Sequence, residues 1–462
     1  MIQWIRRMED RMKKRYLVYL VCLGIGFLSF LLSKSSIKDL YVVERWTESQ
    51  QIWLITDLHY LSPNLHDNGK AFSVIQNTAA GKDVRYSRER MDALVEQVQK
   101  ERPSLLIVSG DVSLNGEKES MKDLAEYFKM IEAAGTEVYV IPGNHDIASG
   151  WARGFRGEDQ IYTDQVTRHD FESIFSDYGY AQAAQRDAAS LTYMAKPFSN
   201  LWLLMIDSNI YADGLGKGAP KTNGRLKKET LQWIKNQLEE AQSAGVQVLP
   251  IMHHNVLDHH TTLTHGFTLD NAVDLRELYD QYGISLTFSG HIHTQHIAHS
   301  DGKQSRLTEV VNGAFSMYPM TIGRLSLKED HLIYQQTKLP VDLWKNHSNP
   351  DLADHTNYLI DVFNRSSELM VHTALHDEGA YDRRFADQLS EMIAPINLAF
   401  FSGEHLSDEW LEENVYSNPT YTTLLQQEPE SMLVEYIGMI IVEMREGSPM
   451  DSVELEWFTV GK

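Results

Sequence analysis

The 462-residue chain has a single cysteine, Cys22. No intrachain disulfide, Cys-based zinc knuckle or CxxC redox pair can be built from it. A large core has to do the work that disulfides do in small secreted modules. Positive charge is also scarce. Lys and Arg total 42 against 64 Asp and Glu, a formal net charge of −22. Non-specific nucleic-acid binding needs a basic face, so this balance argues against it and against a DNA-processing nuclease. It leaves room for a small anionic substrate, because bound metal ions can supply positive charge locally. Fixed-period repeats and low-complexity tracts are absent. The remaining balance, 42% hydrophobic and 23% charged, is that of a globular protein. The length predicts two folded units, since single cores stop growing beyond roughly 250–300 residues.

The N-terminus carries a targeting signal. Arg6, Arg7, Arg11, Lys13, Lys14 and Arg15 precede YLVYLVCLGIGFLSFLLS at 16–33. That run is uncharged and about as long as a minimal bilayer span of ~17–20 residues. The basic flank predicts a cytoplasmic segment at 1–15, a single-pass signal-anchor at 16–33, and a catalytic region outside the cell membrane. A cleaved signal peptide is the alternative, but its apolar stretch is normally ~7–15 residues and ends in small residues. Leu31-Leu32-Ser33-Lys34 makes a poor cleavage site. A lipoprotein reading through Cys22 is weaker, because apolar residues continue well past it.

Beyond the span, strands and helices alternate. QIWLIT (51–56), SLLIVS (104–109), EVYVI (137–141), VQVLPIM (246–252) and ISLTFS (284–289) read as buried strands. Between them, 87–100, 118–133 and the stretch ETLQWIKNQLEEAQSAG have helical spacing, and a further helix falls near 270–282. Residues 148–190 read as an insertion, and LTYMAK with LWLLMID as a hairpin. This alternation predicts an α/β domain over 48–340. Pro340, Asn346, His347, Ser348, Asn349 and Pro350 mark a linker. Residues 345–462 then read as a smaller, mainly helical domain with a final short strand or tail.

Five short elements follow predicted strands. They are Asp57-Leu58-His59, Gly110-Asp111, Gly143-Asn144-His145-Asp146, His253-His254 and Gly290-His291-Ile292-His293. In α/β sheets ligands bind beyond the carboxyl ends of the strands, so all five converge on one edge. Carboxylate, imidazole and amide donors without thiolate suit divalent ions such as Mn, Fe and Zn. Residues two apart in a strand-like segment share a face, so Asp57 with His59, and His291 with His293, each present two groups. The three glycines allow tight turns and close backbone approach. Each element alone is weak, and a lone Asp-x-His is more often a solvated loop. Five in order at strand ends are not.

The series DxH, GD, GNHD, H and GHxH resembles the calcineurin-like metallophosphoesterase superfamily over roughly residues 50–330. Within it the chain is most similar to the class III cyclic-nucleotide phosphodiesterase-like branch of Gram-positive bacteria, and the stretch from Gly224 through Leu231-Gln232-Trp233 is similar too. The resemblance implies a four-layer α-β-β-α sandwich and two divalent metal ions. It implies that Asp57, His59 and His293 hold the first ion, that Asn144, His253 and His291 hold the second, and that Asp111 bridges both. His145 then protonates the leaving group or stabilises the transition state, with Asp146 orienting it, and metal-activated hydroxide attacks phosphorus. Asn255 departs from relatives that carry proline shortly after the His253 position, which bears on loop shape and substrate choice.

The implied reaction is hydrolysis of a small phosphoester, first a phosphodiester and by family a cyclic nucleotide. An outward-facing enzyme would not meet a cytosolic messenger, so a phosphomonoesterase or an envelope phosphodiester hydrolase is the alternative. A catalytically silent metal-binding scaffold is a different class, and the complete ligand set with His145 argues against it. Arg85, beside Tyr86, and His254 are the substrate-binding candidates. His259, His260, His265, His296 and His299 read as surface or supporting histidines. The C-terminal helices read either as a stabilising appendage or as a wall beside the site that restricts substrate size.

Overall fold

The computed structural model describes residues 43–456, apart from 262–263, 304, 329–330, 344–351, 353, 381 and 446–449. The basic segment and apolar run at 1–33, and most of the linker read at 340–350, lie outside the described residues. Among the described residues no helix is long and apolar enough to cross a membrane.

The alternation expected from the apolar runs is present. In order come Ile52–Ile55 (β1), Lys70–Thr78 (α1), Ser87–Glu101 (α2), Leu105–Ser109 (β2), Lys118–Ala133 (α3) and Glu137–Ile141 (β3). The stretch read as an insertion forms a hairpin, Arg153–Arg156 (β4) and Asp159–Tyr162 (β5), then Arg168–Ile174 (α4). Gln185–Arg186 (β6), Tyr193–Ala195 (β7), Leu201–Ile206 (β8), Lys228–Ala244 (α5), Gln247–Met252 (β9), Ala272–Tyr282 (α6) and Leu286–Ser289 (β10) follow. As expected, β7 and β8 pair antiparallel.

Four further strands, absent from the sequence reading, are His296–Asp301 (β11), Arg306–Val311 (β12), Thr321–Lys328 (β13) and His331–Lys338 (β14). The helical region then supplies His355–Asp377 (α7), Arg383–Ser402 (α8), Asp408–Leu411 (α9), Pro419–Gln427 (α10) and Met432–Arg445 (α11). The last strand among the described residues is Ser452–Glu456 (β15), which pairs with β14. The final short strand or tail expected within residues 345–462 is a strand in the described residues. It completes the sheet of the first unit.

Apart from the separate β4-β5 hairpin, the described strands form two sheets, ordered β15-β14-β13-β1-β2-β3 and β11-β12-β10-β9-β8-β7-β6. β1, β2 and β3 run parallel, as do β8, β9, β10 and β12, so in each sheet these carboxyl ends share one edge. Period-2 alternation along β8 explains the layering. Leu201, Leu203 and Met205 join a core with Ile107, Val140, Ile251 and Phe288 from both sheets. Trp202, Leu204 and Ile206 face the other way, onto Ile234 and Leu238 of α5 and Leu275 of α6. Each such side chain contributes roughly 1.5–3 kcal/mol on leaving water. A buried hydroxyl ties the two sheets together, as Tyr193 donates to the Val140 carbonyl at 3.1 Å.

Candidate metal centre

The strand ends deliver the five sequence elements to one place. Five of the seven expected ligands sit in the left-handed backbone region that favours glycine. They are Asp57 (φ 52°), His59 (φ 40°), Asp111 (φ 48°), His291 (φ 73°) and His293 (φ 63°). Such conformations cost on the order of 1–3 kcal/mol each and persist where the surroundings enforce them, commonly at functional sites. Two glycines make the approach possible. A Cβ on Gly143 would lie 2.2 Å from the Asp111 amide nitrogen, and one on Gly290 would lie 2.0 Å from Thr56 Oγ1.

The donor atoms converge. His59 Nε2 and His293 Nε2 are 3.2 Å apart, and His293 Nε2 is 3.4 Å from Asp57 Oδ1. Asp111 Oδ2 lies 3.6 Å from His59 Nε2 and 3.5 Å from His253 Nε2. Asn144 Oδ1 is 3.2 Å from His253 Nε2. Two groups result: Asp57, His59, Asp111 and His293, and Asp111, His253 and His291. Within each group one donor atom per residue falls within 4.8 Å of the others. Asp111 belongs to both.

The supporting bonds fit a cation. Asp57 Oδ2 accepts from Thr56 Oγ1 (2.8 Å) and the His291 amide (3.0 Å), while its Oδ1 is buried with no hydrogen-bond donor. That orphaned oxygen faces the imidazoles, as a metal ligand should. His253 donates from Nδ1 to the Ser109 carbonyl at 2.9 Å, leaving Nε2 as a lone-pair donor. His291 donates from Nε2 to the Gly266 carbonyl at 2.9 Å. Burial opposes charge on Asp111, yet His253, His145 and His59 outweigh it and hold the carboxyl well below its usual range. Burial likewise opposes charge on His253, but Asp111 and Asp57 push that imidazole up to about 9. Burial brings His291 down to about 4.

His145 is half-buried, with its ring edge-on to His59 at 5.0 Å. Asp146, expected to orient it, does not do so directly. Its carboxylate is taken up by the amides of Val112, Ser113 and Gly143 and the Ser113 hydroxyl. It thereby fastens the Asp111 loop to the Asn144 turn. The His145 ring is held by the Leu114 carbonyl (3.0 Å) and Asn115 Oδ1 (2.9 Å), both accepting from Nδ1. Nε2 is left for the site. Burial first, and then Lys82 against the pull of Asp111, set the His145 pKa below the ordinary imidazole value.

The two substrate-binding candidates sit in different surroundings. Arg85 is exposed and lies over the Tyr86 ring, 5.4 Å from its centroid. His254 is buried with both nitrogens engaged, accepting from Ser208 Oγ (2.8 Å) and donating to the Thr222 carbonyl (3.1 Å). Lys82, three residues before Arg85, is the basic group whose field reaches Asp111, Asp57, His59 and His145. Sequence reading missed it, although the Gly81-Lys82-Asp83 turn lies in the loop singled out for Arg85. Asn255, at the position of the family's proline, has a local function. Its Nδ2 donates to Ser289 Oγ (3.0 Å) and the Gly290 carbonyl (3.1 Å), and its amide donates to the Phe267 carbonyl (3.2 Å). Of the remaining histidines, His259 contacts His296 and Glu309, His260 contacts Glu443, His299 contacts Thr308, and His265 is exposed.

Residues 51–295, more than half of the chain, match the family described as calcineurin-like phosphoesterase. The chain belongs to that family. Residues 342–446 match a second family, the C-terminal domain of cyclic nucleotide phosphodiesterase. Among individual relatives, "Probable glycerophosphodiester phosphodiesterase GpdQ" of Arcobacter nitrofigilis is 27% identical over 198 residues. That match spans 42% of this chain and 58% of the relative. A dimetal phosphatase from Danio rerio superposes with a TM-score of 0.45 at 14% identity, covering 63% of this chain and 97% of that one. Purple acid phosphatase PPD1 from yellow lupin gives 0.38 at 13% identity, covering 63% and 51%.

Proposed function

We propose that this chain hydrolyses phosphodiesters with a pair of divalent metal ions. The observation that carries the reading is the shared carboxylate, since Asp111 belongs to both donor groups. In this reading Asp57, His59 and His293 hold one ion, and Asn144, His253 and His291 the other, with Asp111 between them. Mn, Fe and Zn all suit these donors. Such ions, when bound, supply Lewis acidity toward phosphoryl oxygen and lower the pKa of water.

The chain's own residues supply the rest. With Nδ1–H committed to Leu114 and Asn115, His145 has Nε2 as the atom that passes a proton to the leaving oxygen. Burial keeps it neutral until an anionic substrate arrives, and the substrate's charge then favours the imidazolium. Asp146 keeps the two loops in register, so that Asp111, Asn144 and His145 stay in place together.

The diester substrate is supported by the name of the Arcobacter relative, and a cyclic nucleotide by the family matched at the C-terminus. The basic segment and uncharged run at 1–33 support a single-pass anchor with the catalytic region outside the cytoplasm, which favours an extracytoplasmic diester. The test compares bis(p-nitrophenyl) phosphate with p-nitrophenyl phosphate on the metal-loaded protein from residue 38 onward, with Asp111→Ala as control. Diester turnover lost in the variant supports the proposal. Preference for the monoester makes the protein a phosphatase, and no turnover of either despite bound metal makes it a scaffold.

A further inference from the structure

The loop between α1 and α2 brings a lysine to the metal centre and is itself held by the C-terminal helices. Ala79 to Lys82 form a turn, with the Lys82 amide donating to the Ala79 carbonyl at 3.2 Å. Ala80 (φ 52°) and Gly81 (φ 81°) give it a left-handed bend. The next residue fixes its distance from the site. The Asp83 amide donates to the Ser316 carbonyl (2.7 Å), and the Ser316 amide donates to the carbonyl of Asp57 (3.2 Å). Two backbone bonds thus join the lysine's neighbour to a metal ligand.

Asp83 is fully buried and anchored from several sides. Its Oδ1 accepts from the amides of Arg85 (3.1 Å) and Tyr86 (3.0 Å). His355 Nε2 lies 3.2 Å from Oδ2, the Tyr358 hydroxyl 3.4 Å from Oδ1, and Arg90 Nη1 3.7 Å from Oδ2. His355 and Tyr358 belong to α7, so the C-terminal region sets this loop. Phe363 of the same helix packs with Ala314 and Met317. It also closes over Gly81, where a Cβ would meet it at 3.3 Å.

Lys82 itself is half-buried. Among the described residues its ammonium lies within 4.0 Å of no carboxylate, and the acids it feels most are Asp111 and then Asp57. A half-buried lysine loses hydration and side-chain entropy, so one without an ion-pair partner beside a metal cluster needs another reason to be there. In a chain of net charge −22 it is a local positive charge felt by the site's own acids. Other basic groups nearby are used elsewhere: Arg90 donates to the carbonyls of Asp83 and Leu58, and Arg85 faces outward.

We infer that Lys82 is a substrate-binding residue that receives a non-bridging oxygen of the phosphoryl group, and that α7 positions it through the His355–Asp83–Tyr358 contact. This rests on the phosphoesterase reading for the identity of the ligand. The chemistry recognised is a phosphate oxyanion, for which an ammonium point charge is well suited. His355 and Tyr358 are positioning residues and do not touch substrate.

The test uses the metal-loaded protein, with metal content measured for every variant. Calorimetry with inorganic phosphate is the first readout, and KM and kcat for bis(p-nitrophenyl) phosphate are the second. Lys82→Ala should weaken phosphate affinity by about 10–100-fold, the loss expected for a charge-assisted contact. KM should rise by a similar factor with metal content unchanged, and Lys82→Arg should recover affinity to within about threefold. His355→Ala should raise KM by about 3–10-fold, His355→Gln should restore it, and neither change should matter once Lys82 is alanine. Phosphate affinity within twofold of wild type in Lys82→Ala overturns the inference, as does Lys82→Arg as damaged as Lys82→Ala, or metal lost from Lys82→Ala. Should the wild type cleave no ester, the phosphoesterase reading falls, while phosphate calorimetry still decides the role of Lys82.

Discussion

Gly143→Ala isolates the claim that the metal centre depends on backbone approach between two strand ends. Gly143 is not among the glycines with positive φ, so its backbone accepts alanine and the objection is space alone. The new Cβ would lie 2.2 Å from both the amide nitrogen and Oδ1 of Asp111, where ordinary contact begins near 3.4 Å. The two loops have to part by about an ångström, and the atom in the way is backbone, which cannot swing aside. A misplacement of that size costs roughly 100-fold in rate, and overpacking costs about 1–3 kcal/mol of stability. Gly135→Ala is the matched control. It has φ +96° but nothing within 4 Å of its Cβ, so it carries strain without crowding. Both variants should unfold at lower temperature. Only Gly143→Ala should lose bound metal by mass spectrometry and about two orders of magnitude in kcat/KM for bis(p-nitrophenyl) phosphate. Full metal content with kcat/KM within threefold of wild type would refute the geometric argument for Asp111.

Three other perturbations separate the parts of the structure. His145→Ala should lower kcat by about 10²–10⁴ with KM and metal content nearly unchanged, because general-acid catalysis is lost while the donors stay; a raised KM with normal kcat points to binding instead. Asn255→Pro removes the amide that donates to Phe267 and the side chain that holds Ser289 and Gly290, and should cost about 2–4 kcal/mol in chemical denaturation, so an unchanged midpoint would show that the family's proline is tolerated here. Asp170, beside Lys118 at 2.7 Å and capping α4 through Thr167, is brought down to about 2, with the Lys118 bond as the main cause. A depressed carboxylate stabilises the fold above its unfolded pKa of about 3.9 and loses that contribution as pH falls through about 2. Asp170→Asn should therefore cost about 1–2 kcal/mol at pH 7, and the gap to wild type should close near pH 2; a constant gap would assign the effect to packing.

What could be read in advance followed one rule. The candidate ligands lie just past short, largely apolar strands, and both the strand and the residue types after it are local features. Asp57, Asp111, Asn144, His253 and His291 could be placed together for that reason, before any pairing of strands was known. β13 could not, because it enters beside β1 from far downstream, with Ile52 opposite Leu325, and its pattern is broken by Gly323 and Arg324. Asn115 was missed because its tie to His145 depends on the conformation of one loop. Lys82 was missed because its neighbour's anchor, His355, is 272 residues away in sequence. Local chemistry was legible, and contacts between distant loops were not.

Those distant contacts also change how the C-terminal helices should be tested. Removing everything from 345 onward takes away more than a wall. It strips β15 from the sheet edge, frees the loop at Asp83, and deletes Glu443, which accepts from His260 and from the amide of Thr261. It also leaves Ala314 and Met317 without Phe363. A broadened substrate profile after such a truncation would have several explanations. Phe363→Ala is the cleaner perturbation. This side chain is 4% exposed, and its loss leaves a cavity under the Met317 loop and over Gly81 at a cost of about 3–5 kcal/mol. If the helices shape the site through these loops, KM should rise for small and large diesters alike, because the binding loop slackens. If they act as a wall that excludes large substrates, kcat/KM for a bulky diester should improve relative to a small one. Kinetics identical to wild type for both, at a lowered unfolding temperature, would make the helices a stabilising appendage.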